Sequence, residues 1–105
     1  MDRVYFFHNG SECKIGCTEN DLRHRLWAAH VWSPRALEIL GWVEAKPGEK
    51  TILEKRIHLA IAHLRLVKPS GNGEWFKLSR SEALETIKKY EGNQNNYTYG
   101  HASRH

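Results

Sequence analysis

The 105-residue sequence has no apolar run approaching the eighteen or more residues that a membrane span needs. Its N-terminus has no basic stretch followed by an apolar one of the kind that directs export. The expectation is a cytoplasmic protein with no membrane partner. Cysteine is scarce as well, with only Cys13 and Cys17. Four residues apart across a strand end, they would strain a local disulfide. With no CxxC set and no standard zinc spacing, they read as reduced thiols of a cytosolic protein. No internal repeat is visible, and this length supports one domain with a single modest core. Acid is in deficit: twelve Asp and Glu against sixteen Lys and Arg leave a net charge of +4. That balance leans toward a polyanionic partner.

What is present begins with a hairpin signal. Phe6-Phe7-His8-Asn9-Gly10-Ser11-Glu12-Cys13-Lys14-Ile15-Gly16 places Asn-Gly between two apolar runs. Asn and Gly tolerate the positive φ of a tight hairpin turn. A two-residue turn at Asn9-Gly10 pairs His8 with Ser11, Phe6 with Cys13, Tyr5 with Lys14 and Val4 with Ile15. The two-residue period of strands then puts Val4, Phe6, Cys13 and Ile15 on one face, and Tyr5, Phe7, Glu12 and Lys14 on the other. One face is expected to be core, the other to carry chemistry or meet solvent. Taken alone, Tyr5 opposite Lys14 is a cross-strand pair worth a few tenths of a kcal/mol.

Further along, capping residues at Thr18 to Asp21 and apolar positions Leu22, Leu26 and Ala29 predict a helix over 20–31, stopped by Ser33-Pro34. Residues 35–45 read as a third strand, with Leu37, Ile39, Gly41, Val43 and Ala45 on one face. The longest helical pattern covers 49–66, its stripe formed by Leu53, Ile57, Ala60, Ile61 and Leu64. Pro69 to Gly73 reads as a loop, 74–78 as a short aromatic strand, and a last helix begins at Ser79 or Ser81 and runs to about Tyr90. Residues 1–92 are expected to form the domain. Residues 93–105, polar and without periodicity, read as a flexible tail through which a protein partner can bind. The fold class is α+β, a small antiparallel sheet of about three strands flanked by helices.

Several polar residues stand out. The hairpin offers Tyr5 and Lys14, the first helix Arg23 and Arg25, and the long helix Glu54 and His58 at i, i+4. Each group has a structural explanation, a solvated face or a surface pair. Together they hold the parts for metal-assisted phosphodiester hydrolysis. That reaction needs a base for water, a cation for the transition state's spread charge, and a carboxylate-held metal at the leaving oxygen.

The arrangement resembles the GIY-YIG endonucleases. Arg3-Val4-Tyr5 stands at the first motif, Lys14-Ile15-Gly16 at the second, and Gly16-Cys17-Thr18 followed by Arg25-Leu26 at the stretch leading to the catalytic arginine. Leu53-Glu54-Lys55-Arg56-Ile57-His58 resembles the glutamate helix. Gly73-Glu74-Trp75-Phe76 resembles the closing motif of the branch whose second motif begins with lysine. The resemblance implies a metal-dependent endonuclease, on DNA in preference to RNA, leaving a 5′-phosphate and a 3′-hydroxyl. It implies that Tyr5 is the general base or positions the attacking water, that Arg25 stabilises the transition state, and that Glu54 holds one Mg²⁺ or Mn²⁺ ion. A single carboxylate with water and phosphate oxygens is a common site for such hard cations.

Two motif positions differ, with Arg3 for the first glycine and Lys14 for the second tyrosine, and the spacing after Gly16 also admits Arg23 in the catalytic slot. Lys14 opposite Tyr5 would supply the positive charge that favours a phenolate. His58 orients Glu54, acts as a general acid, or is a helix-surface residue. Arg3, Arg23, Lys55 and Arg56 would grip nucleic acid. Trp75 and Phe76 read as core. One of Trp27, Trp32 and Trp42 can stack on an unpaired base, and the sequence does not choose among them. The competing function is a GIY-YIG-like module that binds nucleic acid without cutting it.

Overall fold

A computed structural model describes residues 1–30, 35–67 and 74–95. The elements follow in the order β1 (Arg3–His8), β2 (Cys13–Thr18), α1 (Leu22–His30), β3 (Glu38–Glu44), α2 (Lys50–Ala60), a 3₁₀ turn (Ala62–Leu64), β4 (Arg65–Leu66), β5 (Trp75–Phe76), α3 (Arg80–Lys89) and β6 (Asn93–Gln94). The α+β class holds. The sheet has six strands rather than about three, in the order β4-β5-β2-β1-β3-β6, and every neighbouring pair is antiparallel. The extra strands are two-residue edges, too short to show any alternation of their own.

The hairpin turns one residue later than its Asn-Gly suggests. Asn9 lies across from Glu12 and donates its N–H to the Glu12 carbonyl at 3.1 Å. The Asn9 side-chain oxygen accepts from the Ser11 and Glu12 N–H groups at 3.1 and 2.8 Å. Gly10 takes the left-handed φ of 103°. This moves the turn to Gly10-Ser11, with glycine at its first central position. Moving a turn by one residue slides the register by two. Side chains therefore keep their faces while their partners change: Tyr5 lies opposite Gly16, and Lys14 opposite Phe7. The predicted Tyr5/Lys14 pair does not form.

Both faces of the sheet are core, including the Tyr5 and Phe7 face expected to carry chemistry or meet solvent. Val4, Phe6, Cys13 and Ile15 pack with Ile57 of α2 and with Ala83 and Ile87 of α3, whereas Tyr5 and Phe7 pack with Leu22, Leu26 and Ala29 of α1. The sheet is thus a central layer between α1 on one side and α2 with α3 on the other. Truncating Phe6, which has no exposed surface, would cost about 3–5 kcal/mol.

A β-bulge opposite Phe6 and Phe7 shifts the phase of β3. Leu37 and Ile39 point toward α1, while Leu40 and Val43 join the α2 and α3 side. The predicted single stripe therefore splits across two cores. The long helix is also shorter than its pattern: α2 ends at Ala60, and Leu64 reaches the core from the 3₁₀ turn. Ala60 is exposed. Asn93-Gln94, read as the start of a loose tail, pairs with β3, and Asn95 binds the carbonyls of Ile39 and Leu40 at 2.8 and 2.9 Å. The Ser33-Pro34 stop, the Pro69–Gly73 loop and tail residues 96–105 lie outside the described residues.

Candidate active site

Among the described residues, β5 pairs with β2 at Cys13 and Lys14, and no strand covers that edge of β2 beyond this point. There the Ile15 N–H donates to the Glu74 carbonyl at 3.0 Å, and His58 Nε2–H donates to the Ile15 carbonyl at 3.0 Å. The edge is satisfied by the ends of neighbouring elements, and a cleft opens beside Gly16 and Cys17. Its volume is about 390 Å³, and its walls include Tyr5, Lys14, Cys17, Arg25, Glu54 and Glu74.

Gly16 makes this convergence possible. A Cβ at that position would fall on the Tyr5 hydroxyl, with the ring's Cζ at 2.5 Å. Without one, the buried phenol lies across β2 and presents its hydroxyl at the strand's edge. From α1, Arg25 Nη2 donates to that hydroxyl at 3.4 Å, and the guanidinium carbon stands 6.0 Å from the ring centroid. Phe7 stacks on the Tyr5 ring with centroids 4.2 Å apart. Burial raises the Tyr5 hydroxyl above the ordinary phenol pKa, and the Arg25 hydrogen bond and charge pull the other way. Arg25, not Lys14, is the cation that acts on Tyr5.

Lys14 nonetheless enters the same cleft, its ammonium 5.8 Å from the Trp75 ring centroid. Burial lowers its pKa, as does the Arg25 charge, against the opposing pull of Glu74 and Glu54. Glu54 comes from α2 on the opposite side of the sheet. Its half-buried carboxylate accepts from Cys17 Sγ at 3.4 Å through Oε1, and its Oε2 lies 3.8 Å from His58 Nε2. Burial and the Glu54 charge raise the Cys17 thiol, which stays a donor. The carboxylate is therefore flanked on both oxygens.

The other named residues fall elsewhere. Arg23 is exposed and turned to Asp21, Nη2 to Oδ2 3.1 Å, so between the two arginines it is Arg25 that enters the cleft. His58 stands behind Glu54 with its Nε2 committed to the Ile15 carbonyl of β2. Arg3 lies over the Trp42 ring at 5.8 Å on the sheet, and Lys55 and Arg56 are exposed on α2. Trp75 and Phe76 are core, as expected. His8 is buried, bound to the Leu78 carbonyl at 2.8 Å and to the Gly10 N–H at 3.0 Å, and His30 is 3.1 Å from the Leu37 backbone.

Two cleft residues were not singled out from the sequence. Cys17 follows the strand period that puts residues 13, 15 and 17 on the α2 side, a signal that was there to be used. Glu74 is held by Arg65 at 2.6 Å. It stands in the closing motif, but its direction depends on the pairing of β4 with β5.

A family model for the T5orf172 domain matches residues 2–91, a span that contains every wall of this cleft. The chain belongs to the T5orf172 family. T5orf172 domains occur in some nuclease-like proteins related to the GIY-YIG group. Searches of curated proteins and of solved structures find no match. Among the described residues of this T5orf172 domain, no helix is long and apolar enough to cross a membrane.

Proposed function

We propose that this T5orf172 domain is a divalent-metal-dependent endonuclease of GIY-YIG type that hydrolyses phosphodiester bonds, in DNA before RNA. The observation that carries the reading is the meeting of Tyr5, Lys14, Arg25 and Glu54, from two strands and two helices, in one cleft at the edge of β2. Arg25 Nε is buried with no hydrogen-bond partner among the described residues. An orphaned donor of that kind is costly unless an acceptor arrives, and a phosphate oxygen is such an acceptor.

In this reading Lys14 and Arg25 hold the scissile phosphate and offset the charge that builds on its oxygens. Tyr5 orients the attacking water and, once ionised to the phenolate, takes its proton; the adjacent guanidinium favours that ionisation and burial opposes it. The water oxygen bonds to phosphorus, the bond to the 3′ oxygen breaks, and that oxygen leaves as an alkoxide that takes a proton from solvent water to become the 3′-hydroxyl. The Cys17 thiol holds one oxygen of the Glu54 carboxylate, and the His58 ring stands 3.8 Å from the other. Among the described residues no three His, Cys, Asp or Glu side chains are clustered to hold a metal. The oxygen donor of Glu54 fits a hard cation completed by water and phosphate. Bound there, the cation would supply Lewis acidity at the leaving oxygen. The free thiols of Cys13 and Cys17 accord with action in the cytoplasm.

The test is cleavage of end-labelled single- and double-stranded DNA and RNA at low salt with Mg²⁺, Mn²⁺ or EDTA. Wild type is expected to cut only with metal, and Glu54→Ala and Tyr5→Phe to lose about 10²–10⁴-fold of that rate. Salt-dependent binding without any cutting would replace the nuclease with a nucleic-acid grip.

A further inference from the structure

We infer that Trp27 is a stacking platform for an unpaired nucleobase, so that the nucleic acid this cleft takes contains a single-stranded stretch. The inference rests on the nucleic-acid reading above and names its substrate class.

The tryptophans separate clearly. Trp75 is 8% exposed in the α1-side core, Trp42 is half-buried against the Arg3 guanidinium, and Trp32 lies outside the described residues. Trp27 is 74% exposed. Its helix has three faces. Leu22, Leu26 and Ala29 enter the core, Arg25 and Ala28 form cleft wall, and Trp27 stands outward with Arg23 one turn before it and His24 beside it.

An indole left in water adds nothing to the core and offers a flat apolar face beside the cationic cleft wall. The chemistry of a partner for that face follows from the neighbouring residues. α1 carries two arginines, Arg25 in the cleft wall and Arg23 paired with Asp21 just before the helix, and no acid of its own. An apolar protein groove would accept the indole but gain nothing from those cations. A nucleotide strand matches both, with phosphates for the cations and a base face for the ring. A helix is about 10–12 Å across. A strand with its scissile phosphate at Arg25 and Lys14 that continues over α1 therefore brings a base a few nucleotides away onto Trp27. In a duplex each base face is covered by its neighbours, and the platform has nothing to receive.

The test is fluorescence anisotropy of a labelled mixed-sequence oligonucleotide, single-stranded or annealed to its complement, in EDTA at low salt with the full chain. Trp27→Ala is expected to weaken single-strand binding roughly 5- to 150-fold, the loss of one stacked base, and to leave duplex binding unchanged. Trp27→Phe should retain most of the single-strand affinity, and intrinsic fluorescence of wild type should quench on binding. Because Trp27 is outside the core, thermal melting of all variants should match wild type. Equal single-strand affinity in Trp27→Ala, an equal loss on duplex, or no oligonucleotide binding by wild type would each overturn the inference. Metal-dependent cutting with no role for Trp27 would remove this inference and leave the nuclease standing. Trp27-dependent binding without cutting would do the reverse.

Discussion

At the scale of single residues, Gly16 holds the site together by what it omits. Its missing side chain is the space through which the Tyr5 hydroxyl reaches the edge of β2. Gly16→Ala is therefore expected to drive the phenol away from Arg25. Activity should fall at least as far as in Tyr5→Phe, while overpacking costs about 1–3 kcal/mol of stability. Thermal unfolding and cleavage rates measured side by side check this, and full activity in Gly16→Ala would show that the hydroxyl need not sit there. The Lys-Ile-Gly motif was legible in the sequence, but the reason for its glycine was not. That reason depends on a register two residues from the one that Asn9-Gly10 suggests, and the register was decided by the Asn9 side chain binding Ser11 and Glu12. The choice between Arg23 and Arg25 likewise waited for the fold, because both lie within the loose spacing after Gly16 and only Asp21 separates their roles.

At the scale of elements, α3 is the helix with the most explicit start signal. Ser79 Oγ accepts from the Glu82 N–H at 3.1 Å, and the Glu82 carboxylate accepts from the Ser79 N–H at 2.9 Å. Because α3 carries Ala83 and Ile87 into the core, fraying it exposes one side of the sheet. Ser79→Ala should cost about 1 kcal/mol and lower the melting temperature by roughly 4–8 °C. An unchanged melting temperature would mean the cap is not needed. Helices and the hairpin were legible because their periods and caps are local. The end of α2 was not, since Ile61 and Leu64 continue its apolar rhythm while the chain turns into β4. Nor was β6, whose Asn93-Gln94 is polar on both faces and is held through Asn95 at the β3 bulge. A bulge and the polar residue that satisfies it have no signature until both strands are in place.

The whole molecule is a sheet buried on both faces, and this fixes its response to alkali. Burial raises the Cys13 thiol above its ordinary value of 9.0 and the Tyr5 phenol above 10.0. The unfolded chain therefore gives up these protons at lower pH than the folded one, and folded stability falls as pH rises above about 9. Each such group steepens the fall by about 1.4 kcal/mol per pH unit while only the unfolded form is ionised. Cys13→Ala should be less stable at neutral pH and should show a shallower alkaline decline in denaturant titrations. An equal slope would mean that Cys13 ionises alike in both states.

The same burial brings groups from opposite sides of the sheet to one edge, and the central claim is that Tyr5 and Glu54 act there as a unit. Rates of metal-dependent cleavage for Tyr5→Phe, Glu54→Ala and the double variant test it most directly. Groups that serve one transition state lose their effects together. The double variant should be about as slow as the slower single one. Losses that multiply, or a single variant that cuts at the wild-type rate, would contradict a shared site.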